Sequence, residues 1–439
     1  GDADRLSTPD SVFHCTTIQR VKLDVTRSLA SQFAHGRLYG WLLTETTGRA
    51  DTYVNSRISS ARLEVTYRPP PKTLATAPPT TKPHLITFYL APTKQIVQNL
   101  DRLNELPFEG SVFHGARNGR AKDWQGDIIN SVFGPEKLAL ENYSEFIEDV
   151  QTIQTPPSRF VHNFLRVNTC VPGTLIERDI PYTWETRPRS DDDVTMWWVD
   201  EFDTVIHNMK VAAETARQAG MKGIFLEGEE YGGNIWTYAN QLDARERGKT
   251  YEESCAQVRY RAFQLAQAIN EAYPDMTMIV YFHIYREPAG LLKSQSFWNH
   301  FMDGLVEGVD QRMRLVTANS MSYGFDGLEQ FQEEYEWAYK RAPQISLVPE
   351  KYLRQVDVGF GLWFNCHGWG KDPEFYSSSA SWQSRIEKAL SIADSYVWVF
   401  TGGGGKTLPD WWSGDNIPQP YVDATLNAVD LMRRRWAGQ

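Results

Sequence analysis

Three carboxylates crowd the segment MKGIFLEGEEYGGNIWTY, residues 221–238. Glu227, Glu229 and Glu230 follow a short apolar run, and Tyr231 and two glycines come directly after. Like charges repel, and a carboxylate leaving water without a partner is costly. A binding loop, a metal site and a catalytic site would each answer that cost. On a strand, side chains alternate, so Glu227 and Glu229 share a face with Phe225, and Glu230 faces the other way. If that face opens on a cleft, repulsion and partial burial favour the protonated form of one carboxyl. A carboxylic acid that keeps its proton near neutral pH is the general acid that glycosidic cleavage needs. Salt bridges to Arg166 or His283, and a solvated acidic loop, are the structural alternatives. A metal site would want more oxygen ligands or a tight histidine cluster, and the spacing shows neither. No metal and no cofactor is therefore expected.

The elements that must carry these groups follow a regular rhythm after residue 84. Eight apolar runs read as strands: 84–92, 108–115, 160–168, 222–230, 277–285, 313–324, 358–368 and 395–403. Between them lie amphipathic stretches such as 202–220, which ends in the glycine that often caps a helix, and 254–273. Strand–helix alternation with near-continuous apolar strands implies a parallel sheet. Eight such units fit a (β/α)₈ barrel, with a doubly wound sheet as the alternative. The run TGGGGK (401–406) lacks the spacing of a phosphate-binding loop.

In a barrel of this class the C-terminal strand ends form the active site. Those ends here bring His114 from the second strand, Arg166 and Asn168 from the third, and Glu227, Glu229 and Tyr231 from the fourth. The fifth brings Tyr281, His283 and Tyr285, and the sixth Tyr323. The seventh brings Trp363, Asn365, His367 and Trp369, and the eighth Trp398. Sugars want such a set: amides, arginine, histidine and carboxylates for hydroxyls, and flat aromatic rings for C–H faces.

Upstream, RPPPKTLATAPPTTKPH (68–84) is rich in Pro and Thr and reads as a semi-rigid linker. It separates a small β-rich domain, 1–67, from the barrel, 85–439. The strand-like pieces VKLDVT, RLYGWLLTE and SARLEVTY suggest part of a β-sandwich.

Bulk composition narrows the classes. The net charge is −10 and no basic tract occurs, which argues against nucleic acid as a partner. No apolar run approaches the ~20 residues of a membrane span. Aromatic residues make up 13%, with 15 Trp, enough to line a cleft as well as fill a core. Cys15, Cys170, Cys255 and Cys366 lie far apart without a CxxC pair, so they read as buried free thiols, or as one or two disulfides in an exported protein. The chain begins at Gly1, not Met, and shows no signal peptide, as a processed or trimmed chain would, so its start says little about export. A secreted or periplasmic location is the expectation.

The acidic end of the fourth strand resembles that of the TIM-barrel glycoside hydrolases, many of which place the acid/base Glu there. The retaining endoglucanase and β-galactosidase superfamily carries a second Glu at the end of strand 7, where this chain has Asn365 and His367. The family-18 chitinases place Asp-x-Glu on strand 4 and Met-x-Tyr on strand 6. Glu227-Gly-Glu229 and Met321-Ser-Tyr323 are similar, with Glu in place of Asp. ARLEVTY after LDVT resembles half of a jelly-roll module of carbohydrate-active enzymes.

These resemblances imply hydrolysis of a poly- or oligosaccharide. Glu229 is then the general acid/base, Glu227 an auxiliary or second carboxylate, and Tyr323 a polarising hydroxyl. Asn168, Arg166, His283, Tyr231, Asn365, His367 and His114 would hydrogen-bond the sugar, and Trp363, Trp369 and Trp398 would stack on it. A non-catalytic carbohydrate-binding barrel, and a metal-dependent hydrolase or lyase using His114, His283 and His367, remain as alternatives.

Overall fold

All eight apolar runs form strands in the computed structural model. It describes residues 82–88, 92–119, 127–169, 189, 192–229, 232–282, 284–285, 295–364, 378–400 and 418–438. These lie in the second of the two units into which the chain divides, Thr66–Gln439. The expected β-rich domain at 1–67 and nearly all of the linker fall outside the described residues.

The strands are β1 (His84–Phe88), β2 (Ser111–Phe113), β3 (Phe164–Asn168), β4 (Gly223–Glu227), β5 (Thr277–Val280), β6 (Arg314–Asn319), β7 (Val356–Trp363) and β8 (Tyr396–Phe400). Each pairs in parallel with the next, and β8 pairs with β1, so the sheet closes and has no edge. Closure excludes the doubly wound alternative. All five residues of β3 and of β4 are buried, as expected when helices cover one face and the barrel interior the other. Several strands stop short of the apolar runs that the sequence shows.

A principal helix follows each strand: α1 (Thr93–Gln98), α2 (Ser144–Ile153), α3 (Phe202–Gln218), α4 (Tyr251–Ala272), α5 (Trp298–Gly308), α6 (Leu328–Lys340), α7 (Ser379–Ile392) and α8 (Gln419–Ala437). Helix α4 starts three residues before its apolar pattern does. Thr250 accepts a hydrogen bond from the Glu253 amide, and the Glu253 carboxylate accepts one from the Thr250 amide. This reciprocal cap satisfies two amides that would otherwise lack partners. Cys255 of α4 is buried and free, and burial pushes its thiol up to about 11. Among the described residues, no helix is long and apolar enough to cross a membrane.

The N-terminal end of the barrel is closed by a polar cluster. His84 and His162 stack face to face, with ring centroids 3.5 Å apart and planes 25° from parallel. His84 Nδ1 bonds Glu109, and His162 Nδ1 bonds the Tyr396 hydroxyl at 3.0 Å. Arg433 of α8 donates to the other Glu109 oxygen at 3.1 Å, tying the last helix to the barrel floor. The two histidines and Glu109 have donor atoms within 4.8 Å of one another. The lone pairs of stacked imidazoles lie in near-parallel planes and do not converge on one point, so this is a hydrogen-bonded cluster.

Burial, then the neighbouring charges of His84 and Lys222, push the His162 imidazole down to about 4, with Glu109 opposing. An unfolded histidine titrates near 6.5. Between those values the unfolded chain binds a proton that the folded chain refuses. The contribution of His162 to stability is therefore fully present above about pH 6.5 and is lost as the pH falls toward 4. Urea denaturation across this window should show stability falling with a slope approaching about one proton. In His162→Gln that part of the slope should be gone.

Candidate functional site

The barrel interior near its C-terminal end is an aromatic layer centred on Trp398. Its ring centroid lies 5.7 Å from Phe88, 5.2 Å from Phe225, 5.5 Å from Tyr281 and 5.5 Å from Tyr323. The indole fits because β7 presents glycine beneath it: a Cβ at Gly361 would lie 2.6 Å from its Cζ2. Trp398 is 0% exposed. This corrects the expectation that it stacks on a sugar. It fills the barrel under the mouth, and no flat face is open.

Above this layer sits a buried ion pair. Arg166 of β3 and Glu227, the last residue of β4, meet through two guanidinium nitrogens on one carboxylate oxygen. Nε lies 2.6 Å and Nη2 2.5 Å from Oε2. Glu227 is 2% exposed. The Arg166 guanidinium also lies over the Phe88 ring, 4.8 Å from its centroid. Its Nη1 donates to His114 Nε2 at 3.1 Å. Arginine can only donate, so that histidine nitrogen is an acceptor. Asn168 Nδ2 spans the two carboxylate positions, donating to Glu227 Oε2 at 3.3 Å and to the Glu229 carbonyl at 3.2 Å.

Beyond Glu227 the chain leaves the sheet through Gly228. A Cβ there would lie 2.7 Å from the Trp298 ring and 2.9 Å from Phe282. Its carbonyl accepts from Trp236 Nε1 at 3.0 Å. This tight passage presents Glu229 half-buried at the mouth. Glu229 Oε1 accepts a hydrogen bond from the Tyr281 hydroxyl at 3.2 Å, and that hydroxyl accepts one from Tyr323 at 3.2 Å. Tyr281 is 6% exposed. Burial, then the proximity of Tyr323 and Glu229, pushes its phenol well above the ordinary range, so it stays a donor.

Tyr323 lies in a short 3₁₀ turn, Ser320–Gly324, locked to β7 by Ser322. The Ser322 hydroxyl donates to the Gly361 carbonyl at 2.7 Å and accepts from the Gly361 amide at 3.0 Å. Trp363, at the end of β7, is half-buried and meets the Tyr323 ring edge-on at 5.2 Å.

The structure thus gathers Glu227, Arg166, Asn168 and His114 into one network. It joins Glu229, Tyr323 and Trp363 to a second, with Asn168 bridging. His283, Tyr231, Asn365, His367 and Trp369 lie outside the described residues, as does Glu230. Sequence reasoning placed Tyr281 on the fifth strand end but assigned it no role. The signal was alternation from Ile279, which pairs with inward-facing Phe225.

Removing one partner of a buried ion pair strands the other charge, at a cost of about 3–5 kcal/mol. Glu227→Gln and Arg166→Met should each lose stability on that scale in chemical denaturation. The double variant Arg166→Met/Glu227→Leu should recover much of it, because no charge is left buried.

No family model and no curated protein matches this chain. Solved structures similar in fold include a β-galactosidase from Rahnella sp. R3 at 9% identity and a TM-score of 0.47. The match covers 82% of this chain and 57% of that one. This chain therefore spans little more than half of that protein's length. Endonuclease IV from Thermus thermophilus matches at 9% identity and a TM-score of 0.39, over 80% of this chain and 100% of the other. A broad-specificity endoglucanase from Bacteroides salanitronis matches at 11% and 0.38, over 79% and 86%. The activities that these names state differ from one another.

Proposed function

We propose that this barrel hydrolyses glycosidic bonds of a poly- or oligosaccharide, with Glu229 as general acid/base. One observation carries the reading: two carboxylates two residues apart differ in burial and in the partners that meet them. Glu227 is buried and paired with Arg166, which suits an auxiliary group held in place. Glu229 is half-buried at the mouth and accepts a hydrogen bond from a neutral phenol. Environments that divide two carboxyl groups in this way are how acid and base roles are assigned within one site. The partly open Trp363 beside Tyr323 supplies a flat apolar surface of the kind that sugar faces stack on. Tyr323 meets the Tyr281 hydroxyl, so its part is to support Glu229 from behind as well as to face substrate.

A panel of polysaccharides and aryl glycosides, with product sizing, tests the reading. Glu229→Gln should lower turnover by about 10²-fold or more while binding is kept. Turnover at the parent rate in that variant would reject the assignment, and binding without cleavage by the parent would identify a carbohydrate-binding protein instead. Trp363→Ala should weaken binding of the cleaved sugar several-fold, as an alanine in place of a stacked ring does.

A further inference from the structure

We infer that Tyr281 is a positioning residue that orients Glu229 and tunes its acidity by donating to Oε1. The inference rests on the reading of Glu229 as general acid/base. The hydrogen bonds run in one direction: Tyr323 donates to Tyr281, and Tyr281 donates to Glu229 Oε1. A charged carboxylate oxygen accepts such a bond more strongly than a neutral carboxyl oxygen does, so the phenol favours the charged form of Glu229.

The donor is not free to wander. The Tyr281 amide bonds the Leu226 carbonyl at 2.9 Å, pinning it beside β4. Its ring packs on Phe225, Phe282 and Trp398. The far end of the relay is pinned too. Arg385, which is fully buried, bonds the Tyr323 carbonyl and donates to the Phe325 carbonyl at 2.9 Å. The upward shift of the Tyr281 phenol keeps the donor protonated throughout the range in which a carboxyl titrates.

In the reaction, the Glu229 proton passes to the glycosidic oxygen as the bond from that oxygen to the sugar carbon breaks. The bonding pair leaves with the oxygen. Glu229 is left as a carboxylate, and the Tyr281 hydroxyl already faces the charge that develops on Oε1. Water then gives its hydroxyl to the sugar carbon and its proton to the carboxylate, restoring the acid.

The test reads Glu229 directly. Protein labelled with ¹³C at glutamate Cδ is titrated by NMR, with the Glu229 signal assigned by its loss in Glu229→Gln. Tyr281→Phe should raise the Glu229 midpoint by about half a unit to one unit, because a hydrogen bond to the charged form is lost. Tyr323→Phe should raise it less, in the same direction. In turnover assays, Tyr281→Phe should lower kcat with KM kept and move the alkaline limb of the pH profile upward, since the acid form persists to higher pH. An unshifted midpoint in folded Tyr281→Phe overturns the inference. Should that variant not fold, Tyr323→Phe keeps the Tyr281 ring, and an unshifted midpoint there overturns it equally. Full turnover in Glu229→Gln would instead reject the acid/base reading, while the titration still decides whether Tyr281 and Glu229 are coupled.

Discussion

A guanidinium and a carboxylate buried at the barrel mouth must find each other, and the register of β3 against β4 is what lets them. Arg166 pairs across the ladder with Phe225, and Asn168 with Glu227. The arginine therefore starts two residues deeper than its partner and reaches up along the inner face, crossing the Phe88 ring on the way. A slip of one residue would turn Glu227 toward the helices and leave a charge buried on each side of the sheet. Any other register would break the pair and strand a buried charge, which penalises it.

That constraint shapes the rest of the mouth. With Glu227 committed to Arg166, the next inward position along the chain is Glu229. Gly228 lets the backbone pass beneath Trp298 to present it. Asn168 links the two positions, tying the buried pair to the backbone of Glu229. Trp398 completes the arrangement from below. It fills the space that Gly361 vacates and gives Tyr281 and Tyr323 a rigid surface to pack on. An indole read from sequence as a ligand platform thus acts as the foundation of the site.

The two ends of the barrel divide their labour in polar chemistry. At the N-terminal end, His84, His162, Glu109, Tyr396 and Arg433 satisfy one another and close the floor. At the C-terminal end, the hydrogen bonds converge on a carboxylate that still meets solvent. Strand ends at the floor set stability, and strand ends at the mouth are where (β/α)₈ barrels place their chemistry.

The sequence by itself determined the element order. Eight apolar runs of strand length, separated by amphipathic segments, allow little but a parallel sheet covered by helices, and alternation along 223–229 put Phe225, Glu227 and Glu229 on one face. These signals are local, being written in periodicities of two and 3.6 residues. Only the tertiary structure decided that the sheet closes, that Glu227 belongs to Arg166, that Tyr281 belongs to Glu229, and that Trp398 has no open face. Each of these depends on which residues from distant strands share a layer. That is set by the register of the ladders and by the depth of each side chain in the barrel, which periodicity along one segment does not carry.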